Sequence, residues 1–163
     1  MKTLLLLRHA KSSWDDSSLP DFDRPLASRG RRDAPRVGAA LRQSGVIPDI
    51  VWSSPAVRAR QTIEAVSRAA GLEAVEFKDD IYAASSAELI KIVRSLPDAS
   101  ARAMLVGHNP GFEDLVNRLA ASTDETMPTC ALACIEFQID SWKDVEDGAG
   151  RLLWLLRPKE LEG

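Results

Sequence analysis

The sequence predicts an α/β fold, a three-layer α/β/α sandwich around a mostly parallel central sheet. Short apolar segments of strand length alternate along the chain with longer segments of helical periodicity. The first apolar segment, residues 3–7, is apolar on both faces, which is typical of a buried central strand in a parallel sheet. Because the chain has 163 residues, we expect a single domain covering residues 1–163.

The elements are expected in regular order. After the first strand, residues 11–26 are polar and form a long loop, a feature that is often functional in a compact domain. Ser54-Pro55 is a typical helix start, with a serine N-cap and proline at the first helical position. Gly45 and Gly71 are expected to end helices. Further strands are expected at 49–52, 74–77, 103–106, 131–139 and 151–156, and helices at 28–43, 54–70, 86–96 and 109–121.

The composition excludes several classes of protein. There are 21 Lys and Arg against 24 Asp and Glu, a net charge of −3, which gives no support to nucleic-acid binding. Two histidines are too few for a His-rich metal centre. Cys130 and Cys134 cannot form a disulfide framework. Their spacing in an expected strand puts both on one side, where we expect buried thiols.

The apolar start of the chain resembles an export signal only briefly. Arg8-His9-Ala10-Lys11 ends the run before the roughly 7–15 apolar residues and cleavage site that a secretory signal needs. No stretch approaches the roughly 20 apolar residues of a membrane span. We therefore expect a cytoplasmic protein that does not bind membranes.

Both histidines of the chain follow predicted strands. The first strand ends in Arg8-His9, the second is followed by Arg58 at the start of a helix, and the fourth ends in Gly107-His108. Because the carboxyl ends of parallel strands meet at one edge of a sheet, these residues are expected to converge. Each residue alone has an ordinary structural interpretation, and it is their coincidence at three strand ends that favours a site.

The chemistry of this cluster favours an anionic ligand. A cation such as Arg58 near a helix N-terminus is disfavoured unless an anion offsets it. Two guanidinium groups suit the multi-oxygen geometry of phosphate. A histidine between them is either a further donor or a nucleophile.

These residues stand in motifs that resemble a known family. Residues 5–12, LLLRHAKS, resemble the Arg-His-Gly signature of the histidine phosphatase superfamily, which has the phosphoglycerate mutase-like fold. Residues 53–62 resemble its Ser-Pro-x-x-Arg block, and residues 106–110 its late histidine block. The segment from Arg24 to Gly30 is similar to its Pro-Leu-x-x-x-Gly segment, and residues 126–129 resemble the compact phosphohistidine phosphatase SixA branch.

The resemblance implies roles for individual residues. His9 would be the nucleophile that accepts a phosphoryl group, and Arg8, Arg58 and His108 would bind its oxygens, with Ser12 as a further substrate contact. No metal or cofactor is implied, because the arginines supply the positive charge. Positioning and charge stabilisation account for most of the catalysis in phosphoryl transfer.

The sequence departs from the family pattern at three points. Ala10 replaces the usual glycine, which is tolerable if its φ is negative. Asp15 stands where mutases have a phosphate-contacting asparagine, and a carboxylate there would repel phosphate. No convincing equivalent of the leaving-group acid is found. Asp79 and Asp80 lie in the corresponding loop, but charged loop residues are surface residues by default.

The missing acid favours one substrate class. An alkoxide leaving group needs a proton, whereas imidazole, with a pKa of about 6.5, can leave neutral from protonated phosphohistidine. We therefore expect a phosphohistidine on a partner protein to be the substrate. The alternatives are a small phosphorylated metabolite and a phosphate-binding module without turnover. Trp14, in the long loop, is a candidate for the pocket mouth. The particular substrate and the oligomeric state are not readable from the sequence.

Overall fold

The computed structural model describes residues 1–122 and 124–161. It contains six strands, β1 (Lys2–Arg8), β2 (Ile50–Ser53), β3 (Val75–Phe77), β4 (Arg102–Gly107), β5 (Leu132–Phe137) and β6 (Gly150–Leu156). The α-helices are α1 (Ser28–Ser44), α2 (Val57–Ala70), α3 (Ser86–Arg94) and α4 (Gly111–Leu119). Among these residues, no helix is long and apolar enough to span a membrane.

The strands form one mixed sheet in the order β3-β2-β4-β1-β5-β6. The first four strands in that order are parallel to one another, and β5 runs antiparallel to both β1 and β6. The predicted α/β sandwich with a central first strand is therefore confirmed. The parallel strands β2, β4 and β1 are neighbours, so their carboxyl ends lie side by side, as the site prediction requires.

Two apolar layers cover the sheet. One face packs on α3 and α4, with Leu4, Leu105 and Phe112 in its core. The other face packs on α1 and α2, with Leu5, Val37 and others in its core. The alternation of Leu4, Leu5, Leu6 and Leu7 between the two layers explains why β1 is continuously apolar, since both faces of a central strand are buried.

The long loop is fastened to the start of α1. The chain after β1 lies so close to Gly30 that a side chain there would collide with the Lys11 carbonyl oxygen. The Ala27 amide donates a hydrogen bond of 2.8 Å to that same oxygen. Gly30 is therefore required for a close approach of two backbone segments, and α1 begins at Ser28 although Pro35 lies inside it.

Two predictions about local structure are wrong. Ser54 does not cap α2 and Pro55 is not its first residue, because the helix begins at Val57 with Ala56 at its N-cap. The hydroxyl of Ser54 instead contacts His108. Cys130 does not lie in a strand, since its φ is +63° and β5 begins two residues later. Both cysteines are nevertheless buried thiols, as predicted.

Candidate active site

The ends of the three neighbouring strands bring both histidines together. Arg8 is in register with Gly107, and the His9 amide donates a hydrogen bond of 3.0 Å to the Gly107 carbonyl. The rings of His9 and His108 lie with their centroids 5.1 Å apart, and each residue is only 7% exposed. The predicted convergence of the two histidines at one edge of the sheet is thus observed.

His9 is held in one orientation by its own backbone. Its Nδ1 lies 2.7 Å from the Ala10 carbonyl oxygen. Because a carbonyl oxygen only accepts hydrogen bonds, Nδ1 carries the proton and Nε2 keeps its lone pair. Burial, above all, lowers the pKa of His9 to about 3. The imidazole is therefore neutral at pH 7, which a nucleophile requires.

Ala10, which follows the end of β1, is hydrogen-bonded to the first turns of α2. Its φ is negative, which satisfies the condition for replacing glycine. The Ala10 amide donates to Thr62 Oγ1 at 2.9 Å, and that hydroxyl donates to the Arg58 carbonyl at 2.7 Å. Thr62 therefore couples the position of the His9 backbone to the first turn of the helix that carries Arg58.

Arg8 is anchored by a segment from another part of the chain. One of its terminal nitrogens donates 3.0 Å to the Met127 carbonyl, which also accepts from the Asn109 side-chain Nδ2 at 2.9 Å. The Met127 amide in turn donates to Glu113 at 2.8 Å. The segment before β5 thus fixes the guanidinium, while the buried Arg8 Nε has no partner among the described residues.

Of the two ring nitrogens of His108, one has a hydrogen-bond partner among the described residues and the other has none. Its Nε2 lies 2.7 Å from Ser54 Oγ, and its buried Nδ1 has no partner in the described part of the chain. The Tyr82 ring meets the His108 ring edge-on, with centroids 5.4 Å apart. Burial, and next the charge of Arg58, lowers the pKa of His108 to about 4, so this imidazole is also neutral at pH 7.

Asp21, in the polar loop, joins three side chains around the site. Arg58 donates to its carbonyl at 2.6 Å and to its carboxylate at 2.9 Å. The Tyr82 hydroxyl donates to the same carboxylate at 2.7 Å, and Arg24 does so at 3.1 Å. The hydrogen bond from Tyr82, followed by those from the arginines, lowers the pKa of Asp21 to about 2. Asp21 is therefore ionised throughout the neutral range.

Arg24 organises the loop itself. Its guanidinium donates to Ser12 Oγ at 2.5 Å and to the Ser13 carbonyl at 3.1 Å. The Trp14 ring stacks on this guanidinium, 3.2 Å from ring centroid to the central carbon, while 70% of Trp14 stays exposed. Ser12 is buried against Arg24, so its predicted contact with substrate remains a proposal.

The predicted acid candidates lie at the surface. Asp79 and Asp80 are exposed in a single 3₁₀ turn, and Asp80 lines an open groove with Glu88 and Lys91. Asp15 is exposed in the polar loop. Tyr82 directly follows that 3₁₀ turn, and its side chain reaches His108. No group of three or more potential metal ligands is present among the described residues.

Sequence reasoning missed Asp21, Tyr82 and the role of Ser54. The position of Asp21, three residues before Arg24 in a polar loop, was the available signal, since a basic and an acidic residue at that spacing can pair. The contact of Ser54 with His108 had no local signal, because it joins residues that are distant in the chain.

Comparison with known proteins identifies the family. Residues 4–81 match the model of the histidine phosphatase superfamily, branch 1. An uncharacterized chloroplastic protein of Arabidopsis thaliana is 34% identical over 95% of this chain and 75% of its own length. An uncharacterized protein of Mycobacterium tuberculosis is 33% identical over 94% of this chain and 100% of its own length.

Comparison with solved structures indicates the same family as the sequence comparison. The crystal structure of a candidate phosphohistidine phosphatase SixA from Agrobacterium tumefaciens superimposes with a TM-score of 0.82 at 29% identity, covering 96% of this chain and 98% of that one. Histidine phosphatase membership and this likeness support phosphatase activity. With both histidines at the expected strand ends, the chain belongs to the histidine phosphatase superfamily, in its compact SixA-like branch.

Proposed function

We propose that the protein is a phosphatase that accepts a phosphoryl group on His9, passes it to water, and acts on phosphohistidine of a partner protein. The observation that carries the proposal is a pair of buried atoms, Arg8 Nε and His108 Nδ1, that have no partner among the described residues. Buried polar atoms are normally paired, so the oxygens of an anionic ligand are suitable partners for these two nitrogens.

The charges around these atoms favour a phosphoryl group. Arg58 uses two of its hydrogen-bonding groups on Asp21, which leaves others of its five N–H donors for a ligand. Arg8 and Arg58 both act electrostatically on His9. A dianionic group bound there would be stabilised by two guanidinium groups, and this stabilisation grows as charge develops during transfer.

The reaction of a phosphohistidine balances without an acid. His9 Nε2 forms a bond to phosphorus while the bond from phosphorus to the substrate imidazole breaks. A substrate protonated on its other ring nitrogen leaves as a neutral imidazole. Phosphorylated His9 then carries a positive ring, whose Nδ1 proton is held by the Ala10 carbonyl at 2.7 Å. Water attacks phosphorus, the bond to Nε2 breaks, and dihydrogen phosphate and neutral His9 result.

An alkyl phosphate is a poorer substrate for this site, because its alkoxide needs a proton. The carboxylate beside Arg58 cannot supply one, since the pKa of Asp21 is about 2 and the group is ionised at neutral pH. Asp79 and Asp80 are exposed at the surface. Among the described residues, neither the ionised Asp21 nor the exposed Asp79 and Asp80 supplies this proton, which favours phosphorus–nitrogen bonds and esters with acidic leaving groups.

The test compares substrates on the purified protein. A protein phosphorylated on histidine with phosphoramidate is offered beside a series of aryl and alkyl phosphates of increasing leaving-group pKa. We expect efficient release of phosphate from phosphohistidine and a steep fall of kcat/KM along the ester series. The matched control is His9→Ala. Efficient turnover of alkyl phosphates with no release from phosphohistidine would instead identify a metabolite phosphatase, and binding without any turnover a phosphate-binding module.

A further inference from the structure

Among the described residues, the hydroxyl of Ser54 forms its hydrogen bonds with His108 and the Ala56 amide, and not with His9 or the arginines. Ser54 follows β2 directly, its amide donates 2.9 Å to the Val106 carbonyl, and the whole residue is buried. Its hydroxyl oxygen lies 2.7 Å from His108 Nε2. The direction of this hydrogen bond matters, because it decides which nitrogen of His108 carries the proton.

The surroundings of the hydroxyl fix that direction. Ser54 Oγ already accepts a hydrogen bond of 3.2 Å from the Ala56 amide. Among the described residues, His108 Nε2 is the other hydrogen-bond partner of this oxygen. If Nε2 donated the proton, the hydroxyl hydrogen of Ser54 would be buried with no acceptor, which is unfavourable. The hydroxyl therefore donates to Nε2.

We infer that Ser54 is a positioning residue that locks His108 in the Nδ1-protonated tautomer, so that Nδ1 is a hydrogen-bond donor for the transferring phosphoryl group. The inference rests on the proposed function for its purpose, but the tautomer itself exists without substrate. The opposite tautomer would present a lone pair beside the phosphoryl oxygens and repel them. The buried Nδ1 of His108, which has no partner among the described residues, is thus a hydrogen-bond donor available to a bound phosphoryl group.

The chain offers a matched control next to Ser54. Ser53 is equally buried, but its hydroxyl donates to the Ser54 carbonyl at 2.9 Å and not to the histidine. Ser53→Ala removes a buried hydroxyl from the same strand end without changing the partner of His108. A decrease of kcat/KM that has a merely structural cause should therefore appear in both alanine variants. A mixture of His108 tautomers should appear in Ser54→Ala alone.

The test is ¹⁵N NMR of the imidazole nitrogens in the substrate-free protein. The chain has only two histidines, so the spectrum contains four ring nitrogens, and the folded His9→Ala variant leaves those of His108. At pH 7 we expect His108 to show a protonated Nδ1 and an unprotonated Nε2 in the wild type and in Ser53→Ala. Ser54→Ala should show a mixture of tautomers and a kcat/KM about tenfold lower. Ser54→Thr, which keeps the hydroxyl, should restore both.

The outcomes separate this inference from the proposed function. A wild-type His108 protonated on Nε2 overturns the inference, and so does a Ser54→Ala variant with an unchanged tautomer and unchanged kcat/KM. The wild-type spectrum decides the matter even if a variant fails to fold. Titration with inorganic phosphate addresses the proposed function, which predicts a shift of the His108 Nδ1 resonance. An absent shift with a locked tautomer contradicts the phosphate site while leaving the role of Ser54 intact.

Discussion

The floor and the wall of the candidate pocket are built in different ways. The floor, formed by Arg8, His9, Ser54 and His108, lies at the ends of β1, β2 and β4, and its atoms are held mainly by backbone carbonyls and one buried hydroxyl. The wall, formed by Asp21, Arg24 and Tyr82, is held by side chains meeting one carboxylate that is 52% exposed. The floor is therefore preorganised by the fold, whereas the wall depends on charge pairing.

Arg58 links the two regions, and its removal should have the largest effect. In Arg58→Ala the phosphoryl group loses one of two guanidinium partners, and we expect kcat/KM to fall by about 10²–10³-fold. The control is Arg60→Ala on the same helix, whose guanidinium stacks on Phe77 and donates to the Pro55 carbonyl. Steady-state kinetics of both variants on an aryl phosphate make the comparison. Equal losses in the two variants would remove Arg58 from the site.

The pH dependence of stability should come from the floor. Burial lowers the pKa of His9 to about 3 and that of His108 to about 4, against about 6.5 in an unfolded chain. Between these values the unfolded state binds more protons, so the free energy of unfolding should decrease as the pH falls from 6.5 toward 5. Each histidine contributes up to about 1.4 kcal/mol per pH unit. Asp21 in the wall, with a pKa of about 2, stays ionised in this window.

Urea unfolding at pH 7, 6 and 5 measures this decrease. The variant His108→Gln should show a smaller loss of stability over the same range, because one titrating group is gone. Asp21→Asn should keep the wild-type dependence. A wild-type free energy of unfolding that is flat from pH 7 to 5 would contradict the assignment of two neutral, buried histidines.

A substitution in the wall should change the affinity of the site for anions, and this is the smallest of the predicted effects. Asp21→Asn removes the negative charge beside Arg58 and Arg24. We expect inorganic phosphate to inhibit about fivefold more strongly at low salt, and the difference to shrink at high salt because Asp21 is partly exposed. The control is Asp23→Asn, an exposed acid in the same turn. Weaker inhibition by phosphate in Asp21→Asn would reverse the assigned role of this carboxylate.

The same contrast explains what the sequence could predict. Strand periodicity places Arg8, His9 and His108 at neighbouring strand ends, and this part of the floor follows from topology alone. The three-residue spacing indicates that Asp21 can pair with Arg24, but its place beside the site does not follow from that spacing, because its partners Arg58 and Tyr82 are distant in sequence and a polar loop has no periodicity. Ser54 was misread as a helix cap for a similar reason. Local statistics favour capping, but α2 begins only at Val57, and the Ser54 hydroxyl accepts from the Ala56 amide and contacts His108 across the sheet edge.

The most direct test of the central claim is to trap the phosphorylated protein. The wild type is mixed with a ³²P-phosphohistidine protein, quenched within milliseconds to seconds in alkali, and separated from that substrate protein. The separated wild-type protein is then analysed for a label of its own that is stable to base and labile to acid. We predict a transient label on His9 in the wild type and none in His9→Ala. A label that persists in His9→Ala, or one that is stable to acid, would contradict a phosphoryl transfer through this histidine.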